Sequence, residues 1–177
     1  YEDCFKEEYQ LENVLPQDVS EAKKWGNIPV IAAGGIWDRS DIDRMLALGA
    51  SGVQMGTKWL GSLECDALAY RDLMPHITKD DIELIKSPVG YPARAVKTGV
   101  LEAMARGDAP KIRCISNCVT PCHRGIEAKK VGYCIADSLG RAHNGDREYG
   151  LYFTGANGYR IEKIQPVKEI IAELVQN

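Results

Sequence analysis

IPVIAAGG, residues 28–35, and ASGVQMGT, residues 50–57, decide the fold. Each opens as a run of small apolar residues too short for a core helix and ends in glycine, which reads as a strand buried on both faces. Between them Ile42, Met45 and Leu46 supply one helical face, with Ser40 and Asp43 as a weak capping box and Gly49 as the stop. After the second run, Trp59 to His76 again read as helical. Strand, helix, strand, helix demands parallel strands with right-handed crossovers, the pattern of α/β proteins.

Outward from this unit the signals change. Toward the N-terminus, residues 1–12 are polar and charged and read as loop. Asp18 then caps a short helix through Val19, Ala22 and Trp25, ended by Gly26 and Asn27. Toward the C-terminus, Lys79 to Lys97 carries IELI followed by SPVGYPAR and reads as an irregular lid or connection. Val100 to Arg106 is predicted helical, Asp108 to Gly132 a Cys-, Pro- and Gly-rich loop, Cys134 to His143 a helix stopped by Asn144-Gly145, and Tyr149 to Thr154 extended. Pro166 opens a last helix with a stripe of Val167, Ile170, Ile171, Leu174 and Val175. The division expected is residues 1–78 as the α/β unit and 79–177 as a lid with a cysteine-containing α+β extension.

Composition excludes several classes of function. The 177 residues carry 22 Lys+Arg against 25 Asp+Glu, a net charge of −3. Scattered basic residues and few aromatics provide no electrostatic footprint for a nucleic-acid backbone. No apolar stretch approaches the roughly 18 to 20 residues of a membrane span. The chain opens at Tyr1 without an initiator methionine or a signal leader, so a preceding segment is expected. Four of six cysteines crowd between Cys114 and Cys134, which favours a local site over a secreted disulfide framework, and hence a reducing cytoplasm.

Glycine at the C-terminal end of a buried parallel strand lets backbone N–H groups approach an anion without a Cβ in the way, and a following helix N-terminus adds its dipole. Two adjacent turns of this kind can grip one phosphate, as after strands 7 and 8 of a TIM barrel. A lone Gly-Gly would more simply be a tight turn; the paired turns at consecutive strand–helix units favour the phosphate.

IPVIAAGGI, LALGASGVQMGT and SPVGYPARAVKT together resemble the nitronate monooxygenase family, with the flavin-type enoyl-acyl-carrier-protein reductases sharing the pattern. CISNC, YCIAD and GLYFTGANGYR resemble a cysteine-bearing branch of the same group. The resemblance implies an FMN-binding TIM (β/α)8 barrel, of which this chain supplies the C-terminal part. It implies FMN phosphate held at Gly34, Gly35, Gly56 and Thr57, with Ala33, Gln54 and Met55 close to the cofactor. The expected activity is oxidation of alkyl nitronates with dioxygen or, alternatively, reduction of an enoyl thioester by NAD(P)H, acting on a small-molecule substrate. The family's active-site histidine is expected before Tyr1, in the missing N-terminal part of the barrel; self-association into a homo-oligomer is left open. A reading of another class is a non-catalytic module that binds a phosphorylated ligand or is held by a metal.

Cys114, Cys118, Cys122 and Cys134 stand as C-x3-C-x3-C-x11-C, a set that suits an iron–sulfur cluster or zinc and equally suits buried free thiols. Cys4 and Cys65 read as unrelated to it. His76 and His143 read as structural, while His123, beside Cys122, is a candidate for the same metal shell. Arg94 is either an anion contact or a loop-fixing donor. Trp37 either covers the cofactor edge or packs on a helix, and packing is the expectation; Tyr91, Tyr133, Tyr152 and Tyr159 are expected to pack as well.

Overall fold

A computed structural model describes residues 10–88, 91–108, 110–112 and 132–175. Helix α1 (Leu11–Lys24) leads to strand β1 (Ile31–Ala33), helix α2 (Arg39–Ala47) and strand β2 (Gly52–Gln54). β1 and β2 pair in parallel, with Ile31 opposite Gly52, Ala32 opposite Val53 and Ala33 opposite Gln54. The expected strand, helix, strand order is therefore present, and the strands are shorter than the apolar runs that announced them.

Two-sided burial is not. Leu15 and Val19 of α1, Met45 of α2, Ala32, Ile36 and Ala50 form a core on one face of this sheet. Among the described residues the other face stays open, with Ile31 54% exposed. Among the described residues one layer, α1 and α2, packs on the sheet, and a strand with one layer buries alternate residues rather than all of them.

α1 begins seven residues before the expected cap at Asp18 and runs through Pro16. Proline removes the N–H that would close the bond to the Glu12 carbonyl, yet Leu11, Leu15 and Val19 lie on one stripe and their burial outweighs the lost bond. The N-cap of α2 is Asp38, not Ser40. Asp38 accepts from the Asp41 N–H and Asp41 accepts from the Asp38 N–H, a reciprocal box shifted two residues upstream. Ser40 instead donates to Asp38 Oδ1 at 2.7 Å.

The helix expected from Trp59 to His76 is broken into a 3-10 turn, Thr57–Gly61, a short helix α3, Leu68–Leu73, and a 3-10 turn, Met74–His76. Ala67 offers no side-chain cap to bridge the pieces, and Pro75 ends the run. The irregular lid expected over 79–97 is a β-hairpin. β3 (Ile82–Lys86) pairs antiparallel with β4 (Pro92–Val96), register Leu84 to Arg94. Pro92 sits at the first position of its strand, where a missing N–H is tolerated. The extended segment expected over 149–154 lies beside β4: Val96 N–H donates to the Tyr152 carbonyl at 2.9 Å and Thr154 N–H to the Arg94 carbonyl at 3.1 Å.

Helix α4 (Val100–Ala105), the helix Ile135–His143 with its stop at Asn144, and the last helix Val167–Val175 fall where expected. The last stripe is only half buried: Ile170 and Leu174 are covered while Val175 is 63% exposed. The largest core gathers Trp37, Ala69, Tyr70, Met74, Ile77, Val96, Ala142, Tyr152 and Ile161, residues from either side of position 78. Among the described residues no helix is long and apolar enough to cross a membrane.

Candidate functional site

The parallel register of β1 and β2 sets their C-terminal ends side by side, so the turns that follow, Gly34-Gly35 and Gly56-Thr57, become neighbours. Gly34 has φ +111° and Gly35 φ +69°, conformations that L side chains rarely adopt. Gly56 is different. Its φ of −109° suits any residue, so the backbone gives no reason for glycine there. Nor does packing, because a Cβ at Gly34, Gly35 or Gly56 would meet nothing within 4 Å. The three glycines face open space.

That space is a cavity of about 680 Å³, a size that suits a cofactor or small molecule. Ala33, Gly34, Gly35, Gln54, Met55, Gly56 and Thr57, the seven residues expected at the cofactor, all line it. Arg94 of β4 lines the same cavity, as do Gly155, Ala156 and Asn157 and the first turn of α1. The last two groups were not anticipated. The signal that could have found them is the pair of glycines bracketing Ala156-Asn157 in TGANG, in a stretch read only as extended and tail-like.

The helix N-terminus expected to add its dipole at the first turn is already satisfied. Asp41 Oδ2 accepts the Trp37 N–H at 2.8 Å and Asp38 caps the Asp41 N–H, so two carboxylates occupy that end of α2. After the second turn a five-residue 3-10 turn replaces the expected helix. An anion at the turns would therefore meet their backbone rather than a free helix N-terminus.

Thr57 makes a specific contact: its Oγ1 accepts the Gly155 N–H at 2.8 Å. A hydroxyl that accepts keeps its own proton for donation. Asn157 Nδ2 donates to the Gly35 carbonyl at 2.8 Å. Arg160 Nη2 lies 2.9 Å from Asp38 Oδ2. The Ser40 hydrogen bond, opposed by partial burial and reinforced by the Asp41 N–H and Arg160, holds the Asp38 carboxyl down at about 2.

Trp37 is 5% exposed in the core. Lys58 Nζ lies 4.6 Å and the Arg160 guanidinium carbon 5.2 Å from its ring centroid, cation contacts worth about 0.5 to 1 kcal/mol each near a surface. It packs in the core, as expected, and also lines the cavity. Tyr152 is fully buried and its OH donates to the Asp146 carbonyl. Tyr70 donates to the Phe153 carbonyl, and burial pushes its phenol well above the ordinary range.

Of the cysteine set, Cys114, Cys118 and Cys122 lie outside the described residues, with His123 and Cys4. Cys134 is a half-buried free thiol at the N-terminal end of the helix Ile135–His143. Among the described residues no group of three or more His, Cys, Asp or Glu is placed to hold a metal ion. Cys65 is half-buried against the main core. His76 closes the turn Met74–His76 and His143 ends its helix, and neither lines the cavity.

A family model described as nitronate monooxygenase matches residues 1–177. A Staphylococcus aureus (strain Newman) protein named "Probable nitronate monooxygenase" is 39% identical over 87 residues, 48% of this chain and 24% of that protein. The structure of FabK from Thermotoga maritima superimposes with a TM-score of 0.64 at 30% identity, covering 89% of this chain and 46% of that one. Nitroalkane oxidase from Streptomyces ansochromogenes shares the fold at a TM-score of 0.52 and 24% identity, over 93% of this chain and 43% of that one. The chain thus spans less than half the length of each of these relatives. With a family match over all 177 residues, the chain belongs to the nitronate monooxygenase family.

Proposed function

We propose that this chain is the cofactor-phosphate portion of an FMN-dependent oxidoreductase that oxidises alkyl nitronates with dioxygen. One observation carries the reading: Gly56 has a backbone conformation open to any residue and no neighbour that a Cβ would strike, so its missing side chain makes sense as room for a ligand. The donor set suits a phosphate, since two adjacent turns bring backbone N–H groups and the Thr57 hydroxyl to a cavity that Arg44 and Arg94 also line.

Bound there, FMN would supply the electron-transfer chemistry. The chain's own residues would hold the phosphate through the backbone of Gly34, Gly35 and Gly56 and through Thr57. Ala33, Gln54 and Met55, on the strand ends, would shape the wall nearest the cofactor. Neither described histidine, His76 or His143, lines the cavity, so neither is given the removal of the substrate α-proton.

β1 and β2 are read as the last two strands of an eight-stranded barrel. The open sheet face, with Ile31 half exposed, is the surface that further strands and their side chains would cover. The hairpin β3–β4 and the described residues after it, which share the largest core with residues 37–77, are read as the lid and extension of this end of the barrel.

The test is the visible spectrum of the full-length protein, followed by acid release and identification of its cofactor, then oxygen uptake with a primary alkyl nitronate. Released FMN and nitronate-dependent oxygen consumption are expected. A colourless protein that takes up no added FMN would overturn the reading, and FMN-dependent oxidation of NAD(P)H by an enoyl thioester without nitronate activity would replace the substrate.

A further inference from the structure

The two glycine turns lie beyond the last paired residues of β1 and β2, Ala33 and Gln54, so no ladder hydrogen bond orders them. Glycine loses more conformational freedom on ordering than any other residue, and Gly34-Gly35 places two in succession. A site made of such turns needs something else to hold its N–H groups in place before a ligand arrives.

Residues 154–160 supply that contact to both turns at once. The Gly155 N–H donates to Thr57 Oγ1 at 2.8 Å, reaching the second turn. Asn157 Nδ2 donates to the Gly35 carbonyl at 2.8 Å, reaching the first. Arg160 pairs with Asp38, the cap of α2 that follows the first turn. The loop is itself ordered: Thr154 N–H binds the Arg94 carbonyl at 3.1 Å, Gly158 N–H the Gly155 carbonyl at 3.0 Å and Arg160 N–H the Asn157 carbonyl at 3.0 Å. Its glycines are required by close approach. A Cβ at Gly155 would fall 2.5 Å from Thr57 Oγ1, and one at Gly158 would strike the Thr154 hydroxyl.

We propose that residues 154–160 are a clasp that preorganises the two glycine turns for a phosphate, with Asn157 as the positioning residue. The inference rests on the FMN-phosphate reading above. Because a peptide group is planar and trans, fixing the Gly35 carbonyl also fixes the direction of the Ile36 N–H. Asn157 therefore fixes the peptide plane that closes the first turn, while the Gly155 contact to Thr57 ties down the second. Ordering them in advance lowers the entropic cost of binding.

The experiment uses the full-length protein freed of flavin, titrated separately with FMN and with riboflavin, which lacks the phosphate, by quenching of flavin fluorescence. Asn157→Ala is expected to weaken FMN by roughly three- to tenfold, the equivalent of one hydrogen bond, and to leave riboflavin affinity unchanged in a protein that still unfolds cooperatively. Gly155→Ala is expected to act in the same direction and more strongly. FMN affinity unchanged in both variants would overturn the clasp, and so would an equal loss of riboflavin and FMN affinity, which marks a general structural lesion. A wild-type protein that binds no FMN would instead remove the reading on which the clasp stands.

Discussion

Arg160 and Asp38, far apart in the chain, meet at 2.9 Å across the end of α2. The pair links the C-terminal loop to the first glycine turn from behind. Its carboxylate also caps the Asp41 N–H and accepts from Ser40, so one side chain serves a helix end, a turn and a distant loop.

This arrangement makes stability depend on acid. The folded-state carboxyl of Asp38 titrates at about 2, below its ordinary 3.8. A depressed pKa contributes stability that is fully present above the unfolded value and is lost as pH falls through the folded one. Urea midpoints measured from pH 5 down to pH 2 are expected to decline, with Asp38→Asn less stable than wild type at pH 7 and showing a shallower decline between about 4 and 2. Parallel pH profiles for the two proteins would contradict the assignment.

Gly56→Ala separates ligand from fold. Since φ at Gly56 is −109° and no atom lies within reach of the new Cβ, the variant is expected to melt like wild type while binding FMN about tenfold more weakly. Gly56→Asp adds a charge as well as a Cβ at the phosphate and is expected to abolish flavin retention. Unchanged flavin content in purified Gly56→Asp would refute the site.

Removing the buried end of the capping box tests how α2 is held. Asp41 is 8% exposed and accepts both the Trp37 and the Asp38 N–H. Asp41→Ala leaves two N–H groups without their acceptor, and a loss of about 1 to 2 kcal/mol in urea unfolding is expected.

Met74 is completely buried in the largest core, where residues 37–77 meet residues 96–161. Met74→Ala should cost about 2 to 5 kcal/mol. Chemical denaturation reads this directly; a change under 1 kcal/mol would mean that the core closes over the gap, which the fit of Gly158 against Met74 Cε argues against.

Much of the candidate site was legible before any coordinates. IPVIAAGG and ASGVQMGT announced parallel strands ending in glycine, and all seven residues expected there line one cavity. Gly49, with φ +102°, and Gly145, with φ +83°, stop their helices where the sequence placed the stops. The hairpin β3–β4 was not legible. Its segments, IELIK and PARAV, are short, carry two prolines and a glycine between and within them, and mislead by their alternation, because Leu84 is 47% exposed while the fully buried Ala95 pairs with the charged Glu83. The Asp38 cap was missed for a related reason: Ser40 with Asp43 has the same local grammar as Asp38 with Asp41, and only the position of Trp37 in the core settles which pair starts the helix.

What the sequence by itself determined was local: glycine where φ must be positive, apolar runs that become strands, helix ends, and through the resemblance of those runs the family. These follow from backbone sterics and short-range periodicity, which act within a few residues. The tertiary structure alone decided that Thr57 receives the Gly155 N–H, that Asn157 holds Gly35, and that Arg160 closes on Asp38 and Trp37. Each of those contacts joins residues roughly a hundred positions apart. Loop closure over such distances is decided by the packing of the whole core, and no periodicity within either segment encodes it.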